Sequence, residues 1–127
     1  MEKNILHIPS LAYFNNDWNE LQRFLKNRGN PPYHFDGDLN LRDTSIESLG
    51  NLKSVGGNLY LRNTSIKDLG NLTSVGGDLD LRSTPIESLG NLSYVGNYLF
   101  LENTPISTTM TKDDIRSQIG VDVYIYV

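Results

Sequence analysis

Hydrophobic residues recur at fixed intervals through the middle of the chain, and polar residues and glycines fill the positions between them. From residue 37, the twenty-residue segments GDLNLRDTSIESLGNLKSVG, GNLYLRNTSIKDLGNLTSVG and GDLDLRSTPIESLGNLSYVG follow one another without insertion, and a partial unit, NYLFLENTPIS, begins at Asn97. The apolar spacing fits neither an amphipathic helix nor a long strand. A fixed period of this length predicts a solenoid, in which each unit is one coil that cannot bury its apolar side alone.

Each unit contributes six apolar side chains, and alignment of the units places them in six columns. We expect stacked coils to bury the columns as continuous ladders, with each large side chain contributing about 1.5–3 kcal/mol when fully covered. The columns are Phe35, Val55, Val75 and Val95; Leu39, Leu59, Leu79 and Leu99; Leu41, Leu61, Leu81 and Leu101; Ile46, Ile66, Ile86 and Ile106; Leu49, Leu69 and Leu89; and Leu52, Leu72 and Leu92.

The short stretch L-x-L in each unit predicts one regular strand per coil, because alternation places both leucines inward and their neighbours outward. Stacked coils then pair these strands in one parallel sheet at a spacing of about 4.8 Å. The Gly-Asn and Gly-Gly pairs predict turns, since glycine and asparagine tolerate positive φ. Twenty residues leave no room for a full helix, so we expect the far side of each coil to consist of turns or short 3₁₀ segments.

The stretch L-x-L-x-x-T-x-I-x-x-L, as in Leu39, Leu41, Thr44, Ile46 and Leu49, resembles the leucine-rich repeat consensus L-x-L-x-x-N-x-L. It is similar to the shortest bacterial and phage-type units of that family. Threonine stands where the family has asparagine, and its hydroxyl can still bond backbone groups inside the bend. The resemblance covers residues 35–107. It implies an α/β solenoid, mainly β, that serves as an interaction scaffold.

Both ends of the repeat array have the features of caps, which a solenoid needs to cover its open ends. Residues 1–34 predict an N-terminal helical cap whose helix begins after Asn16 or Asp17 and ends at Gly29. Trp18, Leu21 and Leu25 fall on one face of that helix, and we expect them to be buried. We assign the repeats to residues 35–106 and a C-terminal cap to residues 107–127.

The C-terminal cap contains a predicted helix and a predicted strand. Thr111 and Asp114 have the spacing of a capping box for a helix that reaches Gln118. The alternating residues 121–127, VDVYIYV, predict a fifth strand on the same sheet. No lysine or proline protects the outer edge of that strand. The edge therefore predicts either a homodimer joined through this strand or a monomer in which residues 108–112 cover it.

Composition narrows the functional classes. The chain has 127 residues, a net charge of −4 and no cysteine, which excludes disulfides, thiol catalysis and cysteine zinc sites. It has neither a bilayer-spanning apolar run nor a signal-type N-terminus, so we expect a cytoplasmic protein without membrane contact. Neither His7 nor His34 has a serine or carboxylate placed near it by a recognisable spacing. We therefore expect no enzymatic activity, no cofactor and no metal.

The outward-facing strand positions vary between units while the inward positions do not, so specificity for a partner is expected there. Exposed aromatic clusters are typical of interface anchors. The arginines of successive units stack at strand spacing, which fits either a solvated ladder or a site for carboxylates or phosphates of a partner. The candidate partner-binding residues are Tyr60, Asp80, Tyr98, Phe100, Tyr124 and Tyr126, with the arginine ladder Arg42, Arg62 and Arg82.

These features together predict a non-enzymatic protein that binds another protein through its strand face. The resemblance implies a small phage or bacterial inhibitor or adaptor. Nucleic-acid or phosphate binding through the arginine ladder is the alternative. The net charge of −4 and the acids between the arginines argue against it, because phosphate binding favours a continuous positive surface. A structural, self-assembling module is a further alternative.

Overall fold

The computed structural model describes residues 5–127 and contains two parallel sheets of five strands each, with a few short helices. The fold is therefore α/β and rich in sheet, as expected. No helix lies between residues 41 and 97, which agrees with the short unit. Within the described residues, no helix is long and apolar enough to cross a membrane.

The first sheet, here called the front sheet, contains the L-x-L segments. Strands twenty residues apart pair directly, with Leu59 opposite Leu39 and Leu79 opposite Leu59. The predicted strand at the C-terminal end pairs in parallel with the last of them, which confirms its place on this sheet. The sheet order is β10-β9-β7-β5-β3, where the strands are β3 Leu39–Asn40, β5 Leu59–Tyr60, β7 Leu79–Asp80, β9 Tyr98–Phe100 and β10 Tyr124–Tyr126.

A second sheet, the back sheet, shows that the prediction of one strand per unit is wrong. The backbone of each unit pairs again with the unit twenty residues away, for example through the N–H of Thr73 and the carbonyl of Lys53 at 2.8 Å. Within the repeats, the residues of these strands do not alternate between apolar and polar, as in Leu52–Val55, so the pattern does not reveal them in the sequence. The order is β1-β2-β4-β6-β8, where the strands are β1 Leu6–Ile8, β2 Tyr33–Phe35, β4 Leu52–Val55, β6 Ser74–Val75 and β8 Tyr94–Val95.

The six apolar columns form one hydrophobic core shared by the two sheets. Every column residue is buried except Ile46, which is partly buried. The threonine column contributes as expected, because each hydroxyl donates a hydrogen bond to the carbonyl three residues before it, as Thr84 does to Leu81 at 2.7 Å. The core and the threonine column therefore follow directly from the repeat.

Glycines occur at two kinds of turn, and only one kind needs glycine for the predicted reason, which is a positive φ. Gly70 and its equivalents in the other units adopt positive φ, as expected. Gly76 does not; a Cβ there would collide with the carbonyl of Gly56, so the residue is required by the close approach of two backbones. A further positive-φ turn follows each L-x-L segment, and the sequence did not predict it; its residues are Asp43, Asn63, Ser83 and Asn103.

Both predicted cap helices are confirmed. Helix α1, Trp18–Lys26, begins at the N-cap Asp17 and buries Trp18, Leu21 and Leu25. Two unpredicted segments are a 3₁₀ turn at Leu11–Phe14 and the one-turn helix α2 at Ile106–Thr109. Helix α3, Lys112–Ile119, has the predicted capping box between Thr111 and Asp114.

Candidate functional site: an aromatic face on the front sheet

Four aromatic rings meet on the outer face of β9 and β10, and we call them the aromatic cluster: Tyr98, Phe100, Tyr124 and Tyr126. Parallel register places Tyr124 beside Tyr98 and Tyr126 beside Phe100. The ring centroids of Tyr98 and Tyr124 are 5.3 Å apart, and those of Phe100 and Tyr126 are stacked at 5.1 Å. Tyr124 is 63% exposed, and Tyr98 and Tyr126 are exposed as well. The predicted residues of this group therefore form one accessible aromatic surface.

The neighbouring strand supports the aromatic cluster through a charged pair. Asp80 accepts hydrogen bonds from Arg82, at 2.9 Å from Nε to Oδ1 and 2.7 Å from Nη2 to Oδ2. The hydrogen bond to Asp80 raises the pKa of Arg82 above its ordinary value. The guanidinium lies 4.7 Å from the ring centroid of Phe100, within the range of a cation–π contact. Arg82 thus links Phe100 of the aromatic cluster, on β9, to Asp80 on the neighbouring strand β7.

Asp80 itself is 2% exposed, so the expectation that it faces solvent is wrong. The position points outward from the sheet, but Arg82 lies against its carboxylate. Glu102, two residues beyond Phe100, also attracts Arg82 electrostatically. Its Oε1 atom is enclosed and accepts no hydrogen bond within residues 5–127. Acids and arginine together therefore form a polar border beside the aromatic cluster.

Tyr60 lies apart from the aromatic cluster, because β7 separates its strand from β9. The guanidinium of Arg42 lies 4.9 Å from the centroid of the Tyr60 ring, in the same arrangement as Arg82 over Phe100. Arg42 also donates to Asn40 at 3.1 Å. Arg42 and Arg62 line a shallow depression of about 590 Å³ together with polar side chains. Two of the three ladder arginines thus contact other side chains, Arg42 an aromatic ring and an amide and Arg82 an aromatic ring and a carboxylate, so the ladder is not a uniform positive strip.

A second group of polar residues lies on the back sheet, and the sequence reasoning missed it. Asp36 Oδ1 lies 3.1 Å from His7 Nδ1 and 3.4 Å from His34 Nε2. Ser54 Oγ lies 2.5 Å from His34 Nδ1. No spacing recognised in the sequence placed a serine or a carboxylate near either histidine, but the fold brings both groups within hydrogen-bonding distance. The spacing H-x-D on a strand, which places both side chains on one face, was the available signal.

Comparison of the chain with models of known protein families, with curated proteins and with solved structures gave no match in any of the three.

Proposed function

We propose that this protein is a non-enzymatic binding module of the leucine-rich repeat type, a solenoid that receives a partner protein on its front sheet. The twenty-residue register of both sheets supports a coil that repeats once per sequence unit. The L-x-L strands and the threonine hydroxyl bonds occur at the positions that the resemblance leads one to expect. A small phage or bacterial inhibitor or adaptor is the role that fits this architecture.

The aromatic cluster is the observation that carries the proposal. Exposed tyrosines bury a large area on binding at low cost in side-chain entropy, and such residues dominate interface energies. Their rings pack against one another at 5.1–6.0 Å, so the surface is already ordered before a partner arrives. An ordered aromatic patch with a polar border has the anatomy of an interface centre.

The size of the front sheet sets a requirement on the partner. Five strands at about 4.8 Å spacing span about 19 Å. A stable interface buries about 800 Å² on each side, which exceeds what strands of two or three residues expose. The partner must therefore also contact the turns that flank the strands, including the depression lined by Arg42 and Arg62.

The arginine ladder favours a protein partner over nucleic acid. Arg82 is neutralised by Asp80, and the net charge of the chain is −4. Arg62→Glu tests the alternative, because charge reversal should weaken phosphate binding strongly and a contact centred on the aromatic cluster only weakly. Nucleic-acid affinity that is measurable in the wild type and lost in Arg62→Glu would favour the alternative.

The outer edge of β10 suggests self-association as a second use of the same sheet. Tyr124 N–H donates to Asn97, and the carbonyl of Tyr126 accepts from Leu101, so both groups face β9. Alternation along a strand then directs the N–H and carbonyl of Ile125 to the outer edge. Within residues 5–127 no strand pairs there. Such an edge is a template for a second copy.

Sedimentation over a range of micromolar concentrations tests the dimer. Val127→Pro should weaken it, because the N–H of residue 127 lies on the same outer side by the same alternation, and Val127→Ala is the matched control. A wild type that stays monomeric at every concentration would exclude the edge-paired dimer. Residues 108–112 covering the edge would then be the better explanation.

Capture from bacterial lysate followed by mass spectrometry tests the proposed function. The wild type, Tyr98→Ala/Tyr124→Ala and the control Tyr94→Ala are immobilised in parallel. Tyr94 is an exposed tyrosine on the back sheet, so its truncation removes a similar side chain outside the proposed interface. We expect one protein to be retained by the wild type and by Tyr94→Ala and lost from the double variant. Equal retention by all three would contradict a front-sheet interface.

A further inference from the structure

Two histidines and one carboxylate converge on the back sheet, where the proposed partner interface does not lie. The possible ligand atoms of His7, His34 and Asp36 all lie within 4.8 Å of one another. We propose that these three residues form a binding site for a divalent transition-metal ion, with Zn²⁺ as the best match. The site is independent of the aromatic cluster and of its partner.

The backbone fixes the three positions. Strands β1 and β2 pair in parallel with His7 opposite His34. Asp36 follows His34 by two residues, and this spacing on an extended chain returns to the same face of the sheet. Its N–H donates to the carbonyl of Ile8 at 2.9 Å, which continues the pairing of the two strands. The sheet thus brings together residues that are 29 positions apart in the chain.

The distances fit a tetrahedral ion. Zinc bonds of about 2.0–2.1 Å place neighbouring ligand atoms about 3.3 Å apart in tetrahedral geometry. The observed separations from Asp36 Oδ1 are 3.1 Å to His7 Nδ1 and 3.4 Å to His34 Nε2. The possible ligand atoms of the two histidines lie within 4.8 Å of each other, so ligation requires them to approach by at most about 1.5 Å. The Asp36 side chain is 46% exposed, so a water can occupy the fourth position.

A serine on the next strand orients one of the ligands. Ser54 lies opposite His34 in the pairing of β2 with β4, and its Oγ is 2.5 Å from His34 Nδ1. When the Nδ1–H donates to that oxygen, Nε2 keeps the lone pair that a metal needs. Ligating histidines in proteins usually carry such an outer hydrogen bond, which fixes both the tautomer and the ring orientation.

The donor set selects among metals. Two imidazoles and one carboxylate suit zinc and its transition-metal neighbours, whereas Mg²⁺ and Ca²⁺ prefer oxygen ligands alone. Magnesium is therefore the appropriate negative control.

His34 lies between Ser54 and Asp36, as the histidine of a hydrolytic triad lies between its serine and its carboxylate, but two features favour metal ligation. The carboxylate of such a triad is buried, whereas that of Asp36 is 46% exposed. Asp36 Oδ1 also faces His7, which has no role in a relay but completes a ligand set.

Calorimetric titration of ZnCl₂ into the full chain, after treatment with a chelator and dialysis, tests the site. We expect one zinc ion per chain and no heat with MgCl₂. His34→Ser places at this position the residue that the next two strands carry in the same row, Ser54 and Ser74. We expect it to weaken zinc binding by more than about 100-fold, because loss of an outer-shell partner alone costs about 10–100-fold.

Three further variants separate the ligands from their surroundings. Asp36→Asn should weaken zinc binding as His34→Ser does, and Ser54→Ala should weaken it about tenfold. Asp43→Asn removes a carboxylate elsewhere at a position where the next unit carries Asn63, and it should bind zinc as the wild type does. Circular dichroism and the thermal midpoint of each variant without metal show whether it is folded.

Two additional readouts follow metal binding directly. Zinc should raise the thermal midpoint of the wild type but not that of His34→Ser or Asp36→Asn. Cobalt should give the visible absorption of a tetrahedral ion with the wild type and with Asp43→Asn, but not with His34→Ser or Asp36→Asn. The absence of zinc binding by the wild type would overturn the proposal, as would equal zinc binding by the wild type, His34→Ser and Asp36→Asn.

Discussion

Replacing Asp80 with alanine should destabilise the protein, because it leaves the Arg82 guanidinium without its charged partner. Within residues 5–127, Asp80 is the only charged residue that accepts a hydrogen bond from Arg82. The carboxylate accepts three hydrogen bonds from Arg82, at 3.1 Å from the backbone N–H, 2.9 Å from Nε and 2.7 Å from Nη2. Removing one partner of a fully buried pair costs about 3–5 kcal/mol. The Arg82 side chain is 32% exposed, so water partly solvates the unpaired charge, and we expect a loss of about 2–3 kcal/mol.

The chain offers a matched variant in Asp80→Asn. Asparagine occupies the equivalent position in the first unit, where Asn40 Oδ1 accepts from Arg42 N–H and Nε, each at 3.1 Å. Asp80→Asn can therefore keep two of the three hydrogen bonds, and we expect it to cost about 1 kcal/mol.

Urea unfolding followed by circular dichroism measures both losses, and an unchanged slope with urea shows that the two variants unfold by the same transition. An Asp80→Ala loss no larger than that of Asp80→Asn, or below about 0.5 kcal/mol, would refute the reasoning. In that case Arg82 would lie over Phe100 without help from the carboxylate.

Two further predictions concern the caps. Tyr33→Phe should lower the free energy of unfolding in urea by about 1–2 kcal/mol, because the buried Tyr33 hydroxyl donates a hydrogen bond to the carbonyl of Leu49 at 2.8 Å. The control Tyr13→Phe changes an exposed tyrosine and should leave the free energy of unfolding unchanged. Equal losses in the two variants would contradict the role of the hydrogen bond. The backbone N–H of Thr111, followed by its hydroxyl, lowers the pKa of Asp114, so this carboxylate stabilises the fold above its unfolded pKa and loses that effect as the pH falls through the lowered value. The stability advantage of the wild type over Asp114→Asn, measured by urea unfolding, should therefore be present at about pH 7 and decrease as the pH falls below the ordinary pKa of aspartate, about 3.9. An advantage independent of pH would argue against this reasoning.

The repeat made the core and the front sheet predictable. Each column of leucine or isoleucine aligns at one period, so burial of residues such as Leu59 and Leu79 follows from the sequence without knowledge of the turns. The back sheet was not predictable in this way. Back-sheet strands such as Leu52–Val55 have apolar residues at both ends and polar residues between them, so no alternation marks them as strands.

Side-chain environments on the sheet faces were harder to predict than the fold. The alternation rule gives the direction of Asp80 correctly but says nothing about the long side chain of Arg82 that packs against it. The histidine group on the back sheet depends on the pairing of β1 with β2, and no spacing along the chain shows that His7 lies beside His34. Pairing between distant segments, rather than local pattern, was the missing information.

The central claim is that the front sheet binds a partner protein through the aromatic cluster. Calorimetric titration of the captured partner against the wild type, Tyr124→Ala and Tyr94→Ala tests it most directly, because both tyrosines are exposed and their truncation leaves the core intact. We expect Tyr124→Ala to cost about 2 kcal/mol of binding free energy, a loss of about 30-fold in affinity, and Tyr94→Ala to bind as the wild type does. Wild-type affinity in Tyr124→Ala together with a loss in Tyr94→Ala would contradict the claim and place the interface on the back sheet.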